Sequence, residues 1–148
     1  MGSTCRISVT FTAHAPAGPK STLLTFVSDA VDAPRPEVTG TATASAITPG
    51  VTTLDMRTVK VGIAATKKLL VTNTGDAPLN ISAVTLADGG DFTATRGTCI
   101  RAIAPGGTCQ ISVTFRPTAP AGARSTTLGF VSDALSSPVV SVIGRSAL

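Results

Sequence analysis

Few side chains in this 148-residue sequence are equipped for chemistry. Cys5, Cys99 and Cys109 could form disulfides or ligate a metal, and His14, the single histidine, could act as a base. Cys99 and Cys109 bracket the stretch IRAIAPGGT, a loop tight enough for its ends to come within disulfide reach. The spacing predicts a Cys99–Cys109 bridge, against the alternative of two buried thiols. Two cysteines and one remote histidine are too few for a zinc site. Cys5 is then an odd thiol, free or paired with another chain. Asp88 and Asp91 could hold calcium weakly, but the two glycines between them mark a turn. Asp29 and Asp133, in the twice-occurring VSDA, read as turn or capping aspartates. From residue 44 onward there is no histidine, so no Ser-His-Asp set can form there. The sequence also lacks GxGxxG, GxxxxGK[ST] and HExxH. These readings predict no catalytic, cofactor-binding or metal site.

The elements that must carry these residues follow from composition and periodicity. Apolar residues make up 43% of the chain and charged ones 14%, with Thr, Ala, Val, Gly and Pro prominent, which suits short strands and turns rather than disorder. The net charge of +4 is scattered, densest at Lys67 and Lys68, and predicts solubility rather than a nucleic-acid footprint. No apolar run approaches the roughly 18 residues that span a bilayer. The start, Met1-Gly2-Ser3, lacks the basic and apolar regions of a secretory signal, so the compartment has to be read from the cysteines.

An internal repeat organises the rest. The stretch TCRISVTF at residues 4–11 returns as TCQISVTF at 108–115, and the match runs ungapped from Thr4–Gly40 onto Thr108–Gly144 with more than half the positions identical. The copies lie 104 residues apart, a domain length rather than a solenoid period. Residues 1–43 therefore read as the C-terminal half of one unit, and 44–148 as a complete second unit. His14 falls opposite Thr118 and so lies outside the shared framework. In ISVTF, Ile111, Val113 and Phe115 alternate with polar residues, as in a strand buried on one face, and Ile7, Val9 and Phe11 repeat the pattern. A second strand carries Leu128 and Phe130, and VVSVIG supplies a third; TTLDM, KKLLVTN and LNISAVTL read as further strands. About seven strands in about 100 residues predict an all-β, immunoglobulin-like antiparallel β-sandwich, in a tandem array cut within its first unit.

The runs VTNTGDAPLNISAVTL, GDF, APGGTCQISVTFRPTAPAG and LGFVSDA, with the closing VIG, resemble the bacterial domains grouped with the ASPM, SPD-2 and hydin (ASH) modules. Those domains, also known as choice-of-anchor D repeats, are similar to the major sperm protein fold. The resemblance implies a noncatalytic sandwich, strung in tandem in large secreted or surface proteins of bacteria, with spacer, adhesion or binding roles. An extracellular location agrees with the predicted disulfide. Carbohydrate platforms built on stacked rings are not expected, because the chain has no Trp or Tyr and its Phe residues fall at core positions.

The leading half-unit raises an energetic question. Ile7, Val9, Phe11, Leu24, Phe26 and Val38 fall on what should be an inward face; leaving them in water forfeits on the order of 10 kcal/mol, comparable to a domain's stability. Three covers are available. The half could displace residues 108–148 from their own unit, pack against its counterpart in a second chain, or dock on a neighbour's edge and propagate. Self-association through Ile7, Val9, Phe11, Leu24 and Phe26, with Cys5 a possible intermolecular thiol, is the expectation. The chain itself is thus the expected partner, with another surface protein or a glycan as the alternative, and neither nucleic acid nor membrane insertion is predicted.

Overall fold

Strands form here where an alternating segment finds hydrogen-bonding neighbours on its flanks. The computed structural model describes residues 3–14 and 16–148, and none of these is helical. Ten strands run in chain order: β1 (Gly18–Leu23), β2 (Glu37–Ala42), β3 (Ile47–Pro49), β4 (Thr53–Lys60), β5 (Ala65–Asn73), β6 (Ile81–Leu86), β7 (Phe92–Thr95), β8 (Thr108–Phe115), β9 (Gly122–Ser132) and β10 (Val140–Ala147). They divide between two compact units, Met1–Thr43 and Ala44–Leu148.

The second unit is a sandwich of two four-stranded sheets, ordered β4-β10-β9-β6 and β3-β5-β8-β7. Leu69 and Val71 of β5, Ile111, Val113 and Phe115 of β8, Leu128 of β9, and Val140 and Val142 of β10 are fully buried between them. Burial of such side chains is worth roughly 2 kcal/mol each and is the main force holding the layers together. Phe92 enters the core stacked on Phe115, ring centroids 4.6 Å apart. Pairing is antiparallel with one departure: β10 runs parallel to β4. The two come from opposite ends of the unit, so the whole domain serves as the long crossover that a parallel pair requires.

A bulge interrupts that parallel pair. Ile143 faces Asp55 while Arg145 faces Thr58, so β4 carries one extra residue. Arg57 absorbs it in the left-handed region, at φ 63°, and its N–H donates to Asp55 Oδ1 at 2.7 Å, an Asx-type turn. The extra residue lets Met56 and Val59, three positions apart, both face inward.

One buried polar side chain fixes the end of the sandwich where β5 stops. Asn73 is fully enclosed. Its Nδ2 donates to the carbonyls of Ala77 (2.8 Å) and Ile103 (2.9 Å), and its Oδ1 accepts from the N–H groups of Gly75 (3.0 Å) and Ala46 (3.3 Å). Its backbone also bonds Gly106 and Gly107. A single side chain thus bonds four backbone groups from three loops, of which the Ile103 carbonyl is also held by the Leu79 N–H. Gly75 is needed beside it because an added Cβ would lie 2.2 Å from the Ala44 carbonyl oxygen. The NTG turn is therefore a hub. Cys99 and Cys109 are joined by a disulfide, with Cα atoms 5.1 Å apart, tying the turn after β7 to β8. Closing a loop this short contributes about 2.7 kcal/mol in the chain-entropy treatment.

Among the described residues of the first unit the strands are those of the β1–β2 hairpin, and its register copies β9–β10. Gly18 faces Ala42, Lys20 faces Gly40 and Leu23 faces Glu37, as Gly122 faces Ser146, Arg124 faces Gly144 and Thr127 faces Ser141. One expected strand is not formed and another is shorter than its copy. Residues 7–11 are irregular although their copy 111–115 lies within β8, and β1 stops at Leu23 although β9 continues to Ser132. Both follow from pairing. The strands paired with β8 are β5 and β7, and the last residues of β9 pair with β6, all strands with no counterpart within residues 1–43. The segments that pair within the half are strands in both copies.

Asn73→Ala strands the Ala77 carbonyl and the N–H groups of Gly75 and Ala46 in a closed site, while the Ile103 carbonyl keeps the Leu79 N–H, and is expected to cost on the order of 3 kcal/mol. Thermal unfolding followed by circular dichroism should show a midpoint lower by more than about 10 °C. An unchanged midpoint would contradict the hub.

Candidate interaction site

The same residue types have opposite surroundings in the two copies. Ile7, Val9 and Phe11 are 55%, 51% and 47% exposed, whereas Ile111, Val113 and Phe115 are fully buried. Leu24, Phe26 and Val38 are half-buried, against buried Leu128, Phe130 and Val142. The residues expected to drive association therefore leave an apolar face open on the first unit, in which Val9 and Phe11 lie beside Val38. That face is partly ordered by its own contacts. The Phe11 ring lies over Gly40, 3.0 Å from where a Cβ would stand, as Phe115 lies over Gly144 at 2.7 Å. A shallow groove of about 240 Å³ beside it is lined by Val9, Phe11, Lys20, Thr22, Val38 and Gly40. Cys5, the copy of Cys109, is an exposed free thiol.

In the second unit the corresponding face is closed by residues 44–107, and polar clamps lock the seam. Asp91, with 7% of its side chain exposed, accepts from Arg124 Nε at 2.8 Å, from Thr118 Oγ1 at 2.7 Å and from the Thr118 N–H at 3.0 Å. Arg124 also donates to the carbonyls of Thr118 and Pro120. The Thr118 hydroxyl, with Arg124 and the Thr118 N–H adding to it, holds the Asp91 carboxyl below the ordinary carboxylate range, against the opposing cost of burial. Across the seam, Asp133 Oδ1 accepts from the Asn80 N–H (2.9 Å) and Ser45 Oγ (3.1 Å), and Oδ2 from Asn80 Nδ2 (2.7 Å). The Asn80 N–H chiefly lowers the Asp133 carboxyl too. Thr126 Oγ1 donates to the Asp88 carbonyl and accepts from the Asp88 N–H.

These positions revise several sequence readings. Asp91 is a clamp whose oxygens are committed to Thr118 and Arg124, and it does not share a cation site with Asp88. Among the described residues no group of three His, Cys, Asp or Glu side chains is placed to hold a metal. Asp133 does bond backbone, but its partners are 53 and 88 residues away rather than in its own turn. The repeated VSDA was the signal for it. His14 is exposed, with Nδ1 2.9 Å from the Thr12 carbonyl oxygen.

A second surface lies over the bulge. Asp55, Arg57, Arg145, Ile143 and Ser125 line an open groove of about 650 Å³ on the outer face of β4, β10 and β9. The guanidiniums of Arg57 and Arg145 are exposed.

The HYDIN/CFA65/VesB-like, Ig-like domain family matches residues 50–143. No curated protein matches the sequence. A protein of unknown function from Porphyromonas gingivalis W83 is similar in structure at TM-score 0.56 and 16% identity, over 90% of this chain and 67% of that one. The ASH/PapD-like domain 7 of human CEP192 is similar at TM-score 0.53 and 15% identity, over 70% of this chain and 87% of the other. The VesB protease of Vibrio cholerae is similar at TM-score 0.52 and 12% identity, over 71% of this chain but 32% of the protease. At these identities the fold is what is shared.

The two lowered carboxyls set a pH dependence. A carboxyl lowered in the folded state adds stability that is complete above its unfolded value, near pH 4, and is lost as the pH falls through the folded value. The urea midpoint should be flat from pH 7 to about pH 5 and fall below about pH 4. Asp91→Asn with Asp133→Asn should lower the midpoint at neutral pH and shrink the fall in acid. An equal acid-induced fall in both proteins would refute the clamps.

Proposed function

Because this chain belongs to the HYDIN/CFA65/VesB-like family of Ig-like domains, we propose that it is a noncatalytic structural or adhesion repeat module of a secreted or cell-surface bacterial protein. Residues 1–43 are read as the C-terminal half of a preceding repeat, and residues 44–148 as a complete one. In this reading the chain associates with itself through the first unit. One observation carries it: Ile7, Val9 and Phe11 stand about half exposed where their copies are fully buried. An apolar face of that kind is stabilised by covering it, and a like face on a second molecule is the nearest cover at high local concentration. The Cys99–Cys109 disulfide supports an oxidising compartment outside the cytosol.

The groove over the bulge favours a second reading, a module that recognises a partner protein or glycan. Its two exposed guanidiniums suit carboxylate or sulfate groups.

Light scattering on the full chain and on a chain starting at Thr43 separates these readings. The full chain is expected to be a dimer or larger and the shorter one a monomer. Loss of assembly on adding reductant alone would place the contact at Cys5 rather than at the apolar face. A monomeric full chain would contradict self-association.

A further inference from the structure

The first unit is half of a known shape, and the second unit shows what completes it. Six residue pairs of β1–β2 repeat the β9–β10 register, and the Phe11–Gly40 contact repeats Phe115–Gly144. Each surface left open is one that residues 44–107 cover in the second unit. All of β8 pairs with β5, its last four residues also pair with β7, and β9 beyond Leu128 pairs with β6. Phe92 supplies the ring that stacks on Phe115, and Cys99 supplies the second sulfur. The polar seam is largely retained in the first unit: Asp29 stands at the Asp133 position, Thr22 at Thr126, and Lys20 at Arg124 with its charge kept. His14 in place of Thr118 is the departure, removing the hydroxyl donor of the Asp91 clamp.

We propose that residues 4–14 and 16–43 are a docking surface for a half-repeat of the β3–β7 type, and that Cys5 is the disulfide acceptor for that half's counterpart of Cys99. Docking flanks residues 7–11 on both sides and turns them into a central strand. It also extends β1 beyond Leu23. The disulfide forms when the two thiols give up two protons and two electrons to a small-molecule disulfide, which leaves as two thiols. This rests on the reading of residues 1–43 as the second half of a repeat and not on self-association, since a monomer presents the same face.

The test is a longer chain in which a copy of residues 44–107 is placed directly before Thr4, refolded with oxidised and reduced glutathione. Thiol titration and disulfide peptide mapping are the readouts. The expected result is loss of the free thiol, with Cys5 linked to the added copy of Cys99. A Cys5 that stays titratable, or that links to a second molecule, would overturn the proposal. The same longer chain carrying Cys5→Ser reads docking without the bond. Trypsin should cut after Arg6 much more slowly than in the Cys5→Ser chain without the addition, and equal cutting rates would overturn docking on their own. Because assembly is read by mass and docking by linkage, the failure of one is distinguishable from the failure of the other.

Discussion

Strand β8 has no hydrogen-bonding neighbour from its own half of the repeat. Its flanks are β5 and β7, both contributed by residues 44–107. A strand's N–H and C=O groups need partners once they leave water, so an alternating segment becomes a strand only where other strands lie beside it. The two copies of ISVTF carry the same residues and the same alternation. One is the buried centre of a sheet and the other is irregular and exposed. The difference between them is the company each keeps.

The rest of the second unit can be understood as the means of holding its two halves together across that seam. The apolar layer supplies most of the free energy, with Phe92 from one half stacked on Phe115 from the other. The Cys99–Cys109 bond crosses the seam covalently. Asp91 reaches from the first half to Arg124 and Thr118, while Asp133 reaches back to Asn80 and Ser45. Asn73 acts differently: its side-chain bonds all remain within residues 44–107, where they tie together the loops at the end of β5.

Much of this was legible in the residues and some could not be. Alternation in KKLLVTN, ISAVTL and ISVTF placed β5, β6 and β8, and the short IRAIAPGGT loop placed the disulfide. The same alternation marked residues 7–11 as a strand, because periodicity reports which face a segment would bury and not whether a neighbour exists. β4 beside β10 joins segments from the two ends of the unit, and no local pattern announces such a pairing. Asp91 and Asp133 read as turn residues because Asp beside Gly, or after Ser, usually is one. Their partners lie 27 to 88 residues away, beyond the reach of any spacing rule. The NTG triplet was legible as a turn; the burial of Asn73 beneath it depends on β3 and on the segment near Ile103.

Amide hydrogen exchange, on the chain diluted until light scattering reads a monomer, tests the dependence of β8 on its neighbours most directly. The account predicts that the N–H groups of residues 111–115 exchange only with unfolding of the whole unit, while those of residues 7–11 exchange at close to the rate of an unstructured peptide. Comparable slow exchange in both copies would contradict it, since ISVTF would then hold its structure without strands on either side.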